Sequence, residues 1–181
     1  MYELVETGLV RSVRAAIIRC GVQRAFMSRL VRAKRNVRLV MIASPWISTF
    51  EGRPYSLARF TAHLRRFTIP GYVFTRPPET AEQAEAVNIL TECPLVELVY
   101  NSNLHAKIYA CLGPQPYGFA ILGSANMTTH SASLYEIGLL VLTASGGDFI
   151  VKELAEFGLN YLRTRPDSRV IKKRGRSRHG L

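Results

Sequence analysis

The chain has 181 residues, 48% hydrophobic and 20% charged, with a formal net charge of +11 and a pI near 10.1. That length suits one domain with a proper core, and that composition excludes a disordered chain. The charge points to an anionic partner, no apolar run reaches the roughly 18 residues of a membrane span, and no secretion signal is evident, so integral membrane association is not expected.

The charge is uneven. Residues 1–38 hold nine Lys/Arg against two Glu, residues 163–181 hold eight against one Asp, and the 124 residues between carry −3. Basic ends around a nearly neutral centre suit arms that grip a polyanion beside a cleft. The plain alternative is two solvated basic ends. Cys20, Cys93 and Cys111 form no Cys-x-x-Cys and have no His at zinc spacing, so a reducing, cytoplasmic setting is expected.

In chain order, residues 5–36 place Val10, Val13, Ile17, Cys20, Met27, Leu30 and Val31 at mostly helical spacing among arginines. This predicts a basic helical region, divided by Gly21, that covers a sheet or lies on nucleic acid or a membrane surface. Val37 to Ser44 is a central strand by its β-branched and apolar density. Ser44-Pro45-Trp46-Ile47 ends it, leaving Trp46 as a substrate contact in a crevice loop or as a core or rim anchor.

Leu57 to Phe67 reads as a helix in which His63 is a surface or packing residue. Tyr72 to Thr75 is a short strand closed by Arg76-Pro77-Pro78, Glu79 to Glu92 an acidic, solvated helix, and Val96 to Tyr100 the next strand. The Asn101-Ser102-Asn103 turn then feeds His105, and Ile108 to Leu112 is β-rich. Gly113 to Gly118 reads as a hairpin connection to the strand Phe119 to Leu122, and Ile137 to Leu142 is a further buried strand. A helix follows over 148–163, and residues 165–181, rich in charge and poor in large apolar groups, read as a basic flexible tail. The fold class expected is α/β, a mixed sheet flanked by helices on both faces.

The chemistry gathers between Asn101 and Glu136. His105 and Lys107 are two apart, so strand alternation sends both to one face; Ser124 and Asn126 are likewise two apart, just after the next strand. If those strands pair, their ends bring together an imidazole, an ammonium, a hydroxyl and a carboxamide. Such a set suits a phosphodiester: three groups donate to anionic oxygens while the histidine attacks phosphorus or moves a proton. The sequence near these residues offers no carboxylate cluster for Mg²⁺, so no metal and no cofactor is expected. Glu136 opens an apolar strand, where a carboxylate needs a partner or must face water, and His130 reads as a bystander.

His-x-Lys at His105 and Lys107, followed by Gly123-Ser124-x-Asn126, resembles the phospholipase D superfamily, whose signature is HxKxxxxD with a downstream GSxN. Leu112 stands where the signature has Asp. The likeness covers about Val37 to Thr143 and favours the short nuclease branch. It implies that Glu136 pairs with the catalytic histidine. Larger members carry two signature copies and this chain carries one, so the resemblance implies a homodimer with a shared site. It also implies a phosphohistidine formed on one His105, with His105 of the second copy protonating the leaving oxygen.

The resulting expectation is a phospholipase D-like domain over 1–164, with a motif core over 37–145 and a tail over 165–181. It is expected to act as a metal-independent nuclease on nucleic acid, DNA ahead of RNA, with His105, Lys107, Ser124, Asn126 and Glu136 catalytic. Trp46, Arg76, Lys172, Lys173, Arg174 and Arg176 are the candidate nucleic-acid contacts. The rivals are a non-catalytic nucleic-acid-binding protein, which binds with salt sensitivity and does not cut, and a phospholipid-acting enzyme of the same superfamily.

Overall fold

Three apolar runs, β2 (Leu39–Ala43), β3 (Gly71–Thr75) and β4 (Val96–Asn101), lie side by side and parallel. Their near-continuous apolar character follows from burial on both faces. The computed structural model describes residues 14–50, 55–143 and 148–175. From β2 the sheet continues antiparallel through β5 (Ile108–Leu112), β6 (Phe119–Gly123) and β7 (Gly138–Leu142). Strand β1 (Ala15–Ile18) pairs with β7 and β8 (Ser168–Lys172) with β4, so the described residues form a mixed sheet of order β1-β7-β6-β5-β2-β3-β4-β8.

Alternation along the strands splits the core in two. Val40, Ile42, Val73, Tyr109 and Ile121 belong to the cluster that includes Phe26 and Leu30 of α1 (Val22–Ala33), Phe60 and Leu64 of α2 (Leu57–Phe67), and Ala86 and Leu90 of α3 (Ala81–Glu92). Their neighbours Met41, Phe74, Ala110 and Ala120 belong to the cluster of Val151 and Ala155 on α5 (Asp148–Glu156). Helices therefore cover both faces, as expected. Phe26 is fully buried, with the rings of Tyr109, Phe119 and Phe60 at 5.3, 6.0 and 6.4 Å. Ser56 and Thr80 cap α2 and α3 by accepting from the amides of Arg59 and Gln83. No helix among the described residues is long and apolar enough to cross a membrane.

Two expectations are corrected. The helical reading of 5–36 holds only from Val22; Ala15–Ile18 is an edge strand on β7, and residues 5–13, including Val10 and Val13, lie outside the described residues. The open edge of β7 offers backbone partners that outweigh a weak helical periodicity, and Ile17-Ile18 are β-branched. Gly21, at φ 65°, makes the left-handed turn between strand and helix. At the other edge, the expected tail contains β8, because Ser168, Arg169, Val170 and Lys172 pair with β4, with a bulge at Ile171. Its Arg and Lys side chains leave a charged edge that resists further pairing. The unit therefore extends past residue 164, through a π-helical turn Phe157–Tyr161 and a 3-10 turn Leu162–Thr164 into β8.

Candidate active site

The carboxyl ends of β2, β3 and β4 point to one edge of the sheet, the edge at which parallel α/β sheets form their ligand crevices. Antiparallel pairing brings the start of β5, the end of β6 and the start of β7 to the same edge. The polar residues between Asn101 and Glu136 therefore stand together because of strand direction.

His105 is exposed and Lys107 half-buried in the extended lead-in to β5, and Lys107 Nζ donates to the His105 carbonyl at 3.1 Å. The Gly123 amide donates to the Lys107 carbonyl at 3.1 Å, which carries the pairing one step past Ile108–Leu122. Gly123 has a physical reason to be glycine: a Cβ there would lie 2.4 Å from the Ile137 carbonyl oxygen. That close approach of β7 lets the Ser124 amide donate to the Ile137 carbonyl at 3.0 Å, while the Ser124 hydroxyl accepts from the Ile137 amide at 3.1 Å and donates to the Glu136 carboxylate. Among the described residues Glu136 is thus hydrogen-bonded to Ser124 and not to His105.

Asn126 is held through its backbone. Its carbonyl accepts from Gln23 Nε2 at 2.6 Å and its amide donates to Ser131 Oγ at 3.2 Å, while its own Oδ1 is buried with no partner among the described residues. A buried oxygen of that kind is a polar group waiting for a donor. Thr128 caps the short helix α4 (Thr129–Ser133), where His130 is exposed.

The supporting residues were not legible as such in the sequence. Ser44, fully buried at the end of β2, donates to the Trp46 carbonyl at 2.8 Å and accepts from the Met127 amide at 3.0 Å. Tyr109 OH donates to the Ala125 carbonyl at 2.8 Å, and burial pushes its pKa well above the ordinary value, so it remains a donor. The Gly123–Asn126 loop is thereby tied to the sheet from beneath. A polar residue inside an apolar strand, as at Ser44, is the one signal that could have pointed here.

Of the candidate nucleic-acid contacts, Trp46 and Arg76 reach this edge. The Arg76 guanidinium lies 4.8 Å from the Trp46 ring centre, and its Nε donates to the Leu104 carbonyl at 2.8 Å, next to His105. Lys172, Lys173 and Arg174 are carried by β8 to the opposite end of the sheet, where the Lys172 ammonium is taken by the Cys93 carbonyl. Strand pairing with β4 decides that placement; Arg176 lies outside the described residues. Beside His105 opens a cleft of about 380 Å³, lined also by Asn103, Phe157, Tyr161, Arg165 and Asp167. Among the described residues no group of three His, Cys, Asp or Glu is placed to hold a metal ion.

Leu112, at the signature Asp position, packs against the apolar cluster under α5 and pairs with Leu39. It stands five residues along β5 from Lys107, about 17 Å at the usual strand rise. The departure from the signature is at a structural position.

The sequence matches no protein-family model and no curated protein. Solved structures with the same architecture are a phospholipase D family member, Nuc from Salmonella typhimurium (TM-score 0.64, 12% identity, 90% of this chain and 99% of that one), and NucT from Helicobacter pylori (0.56, 16%, 82% and 96%). Polyphosphate kinase from Porphyromonas gingivalis (0.56, 16%) matches 80% of this chain with 26% of its own. With its mixed sheet, helices on both faces and His-x-Lys and Gly-Ser-x-Asn side by side at the strand ends, the chain has the fold of the phospholipase D superfamily.

Proposed function

We propose that the protein is a phosphodiesterase that cleaves nucleic acid without a metal ion, through a phosphohistidine, in a site completed by a second copy of the chain. The observation that carries this reading is the pairing of the Lys107 and Gly123 backbones, which sets the two halves of the motif at adjacent strand ends. His105, exposed at the lip of a cleft, attacks phosphorus with a ring nitrogen; the bond to the leaving oxygen breaks, and His105 of the second copy gives that oxygen its proton. Water, deprotonated by the same second imidazole, then attacks phosphorus and the phosphorus–nitrogen bond breaks, returning both histidines to their starting states.

Lys107 and Asn126 stabilise charge on the non-bridging oxygens. Ser124, bonded to Glu136 and to the Ile137 amide, fixes the loop that carries Asn126. Arg76, half-buried and hydrogen-bonded beside His105, adds fixed positive charge at this edge.

Two features support a dimer. A phosphohistidine route needs two imidazoles in opposite protonation states, and this motif supplies one. Next to it, Ile17, Leu139 and Leu122 form a cross-strand row on β1, β7 and β6, 59%, 39% and 42% exposed, with Ile137 58% exposed beyond them. Such a row at the rim of a half-site suits burial against a second copy.

The test is cleavage of labelled single- and double-stranded oligonucleotides in excess EDTA. Wild type is expected to cut, and His105→Ala to lose turnover by at least about 10³-fold while still binding. Cleavage undiminished by His105→Ala overturns the mechanism; salt-sensitive binding without cleavage by either protein replaces it with a binding module.

A further inference from the structure

The cleft beside His105 has a wall that phosphate chemistry does not use. The π-helical turn Phe157–Tyr161 sets two aromatic rings one above the other, with centroids 5.5 Å apart and planes 19° from parallel. The Arg165 guanidinium lies 5.2 Å from the Tyr161 ring centre, yet Tyr161 remains 50% exposed. Gly158 seats this turn against the sheet: a Cβ there would come within 2.7 Å of Met41 Sδ, and Met41 is fully buried. The rings are therefore carried on a rigid support. Beside this wall the Asp167 carboxylate lies 4.0 Å from Arg165 Nε and accepts from Asn103 Nδ2 at 2.8 Å, and the Asn103 bond is the main cause holding the Asp167 carboxyl below its ordinary pKa. The cleft thus joins an apolar, π-faced wall to a hydrogen-bond acceptor at its lip.

From this we infer that the cleft is a nucleobase subsite, in which Tyr161 stacks an unpaired base next to the phosphate at His105, making single-stranded nucleic acid the substrate class. The inference rests on the nucleic-acid reading above and deepens it. A volume of about 380 Å³ lies at the small end of ligand sites, a scale that suits one base and its sugar. Base–aromatic stacking is tolerant of sequence, and the Arg165 guanidinium adds a cation to the stack. Inside a duplex both faces of a base are already covered, so a duplex uses this wall only by extruding a base. Asp167 repels phosphate and accepts from amino groups on base edges, which orients a nucleotide with its phosphate toward His105 and its base toward Tyr161. The cleft lies toward β4 and β8, at the other end of the sheet order from the exposed row on β1, β7 and β6.

The experiment compares three end-labelled probes in EDTA: an oligodeoxynucleotide, a strand of equal length built of abasic sugar-phosphate units, and the duplex of the first. Binding is read by fluorescence anisotropy and cleavage on a gel, for wild type, Tyr161→Ala and Tyr161→Phe. Wild type is expected to bind the base-bearing strand about tenfold more tightly than the abasic one. Tyr161→Ala should erase that preference and Tyr161→Phe, which keeps the ring and shows that the fold is intact, should retain it. Equal affinity of wild type for both strands, or a preference that survives Tyr161→Ala, overturns the subsite. Discrimination without cleavage keeps the subsite and removes the phosphodiesterase; cleavage without discrimination does the reverse.

Discussion

At its turn end, the β5–β6 hairpin pairs Cys111 with Phe119, both buried, and seats Leu112 in the apolar cluster under α5; at its open end the same strands pass into Lys107, Gly123 and Ser124. One register serves both ends. At the turn end the side chains maximise burial, and burial raises the Cys111 thiol pKa so far that it is a core group and not a nucleophile. At the open end the strands leave an exposed imidazole, an ammonium that donates to a backbone carbonyl, and a carboxamide oxygen with no partner among the described residues. Polar groups left unsatisfied at one end and apolar groups closed off at the other separate a site from a scaffold.

The strongest way to break that comparison is at the junction. Gly123→Ala forces a methyl against the Ile137 carbonyl oxygen, so β7 must shift and carry Glu136 away from Ser124. We expect a stability loss of about 3 kcal/mol together with a severe loss of turnover; normal activity in a normally stable variant would contradict the role given to the close approach. Leu112→Asp restores the signature residue at the scaffold end. It should cost about 2 kcal/mol by placing a carboxylate against apolar neighbours, with no gain in activity per folded molecule; a rate increase would move Leu112 into the site.

Smaller effects sharpen the same contrast. Tyr109→Phe leaves the Ala125 carbonyl without its donor in a buried setting and should cost about 1 to 2 kcal/mol, lowering turnover through Asn126 more than substrate affinity. A larger change in KM than in kcat would show that the loop serves binding instead.

The smallest effect lies outside the site. Burial, with Arg66 beside it, lowers the His63 pKa against a weaker opposing hydrogen bond to the Leu30 backbone. The unfolded chain therefore holds more protons between the lowered value and the ordinary 6.5. Stability is full above about pH 6.5 and declines below it, by no more than about 1.4 kcal/mol per pH unit. His63→Phe, packing beside Phe67, should flatten that part of a melting-temperature profile without moving the pH profile of activity, which belongs to the open end.

The sequence by itself determined the central strands, the two connecting helices and the motif residues, because continuous apolar runs, caps and a spacing of two are local properties. Tertiary structure decided what becomes of weakly patterned ends: Ala15–Ile18 and Ser168–Lys172 are strands because β7 and β4 offer open backbone, which no local window contains. It also decided which charges meet the site. Arg76 arrives beside His105 because β3 and β4 are parallel neighbours, and Lys172 departs to the far end because β8 runs antiparallel to β4. The partner of Glu136 is set in the same way, by the close approach of two strands at Gly123.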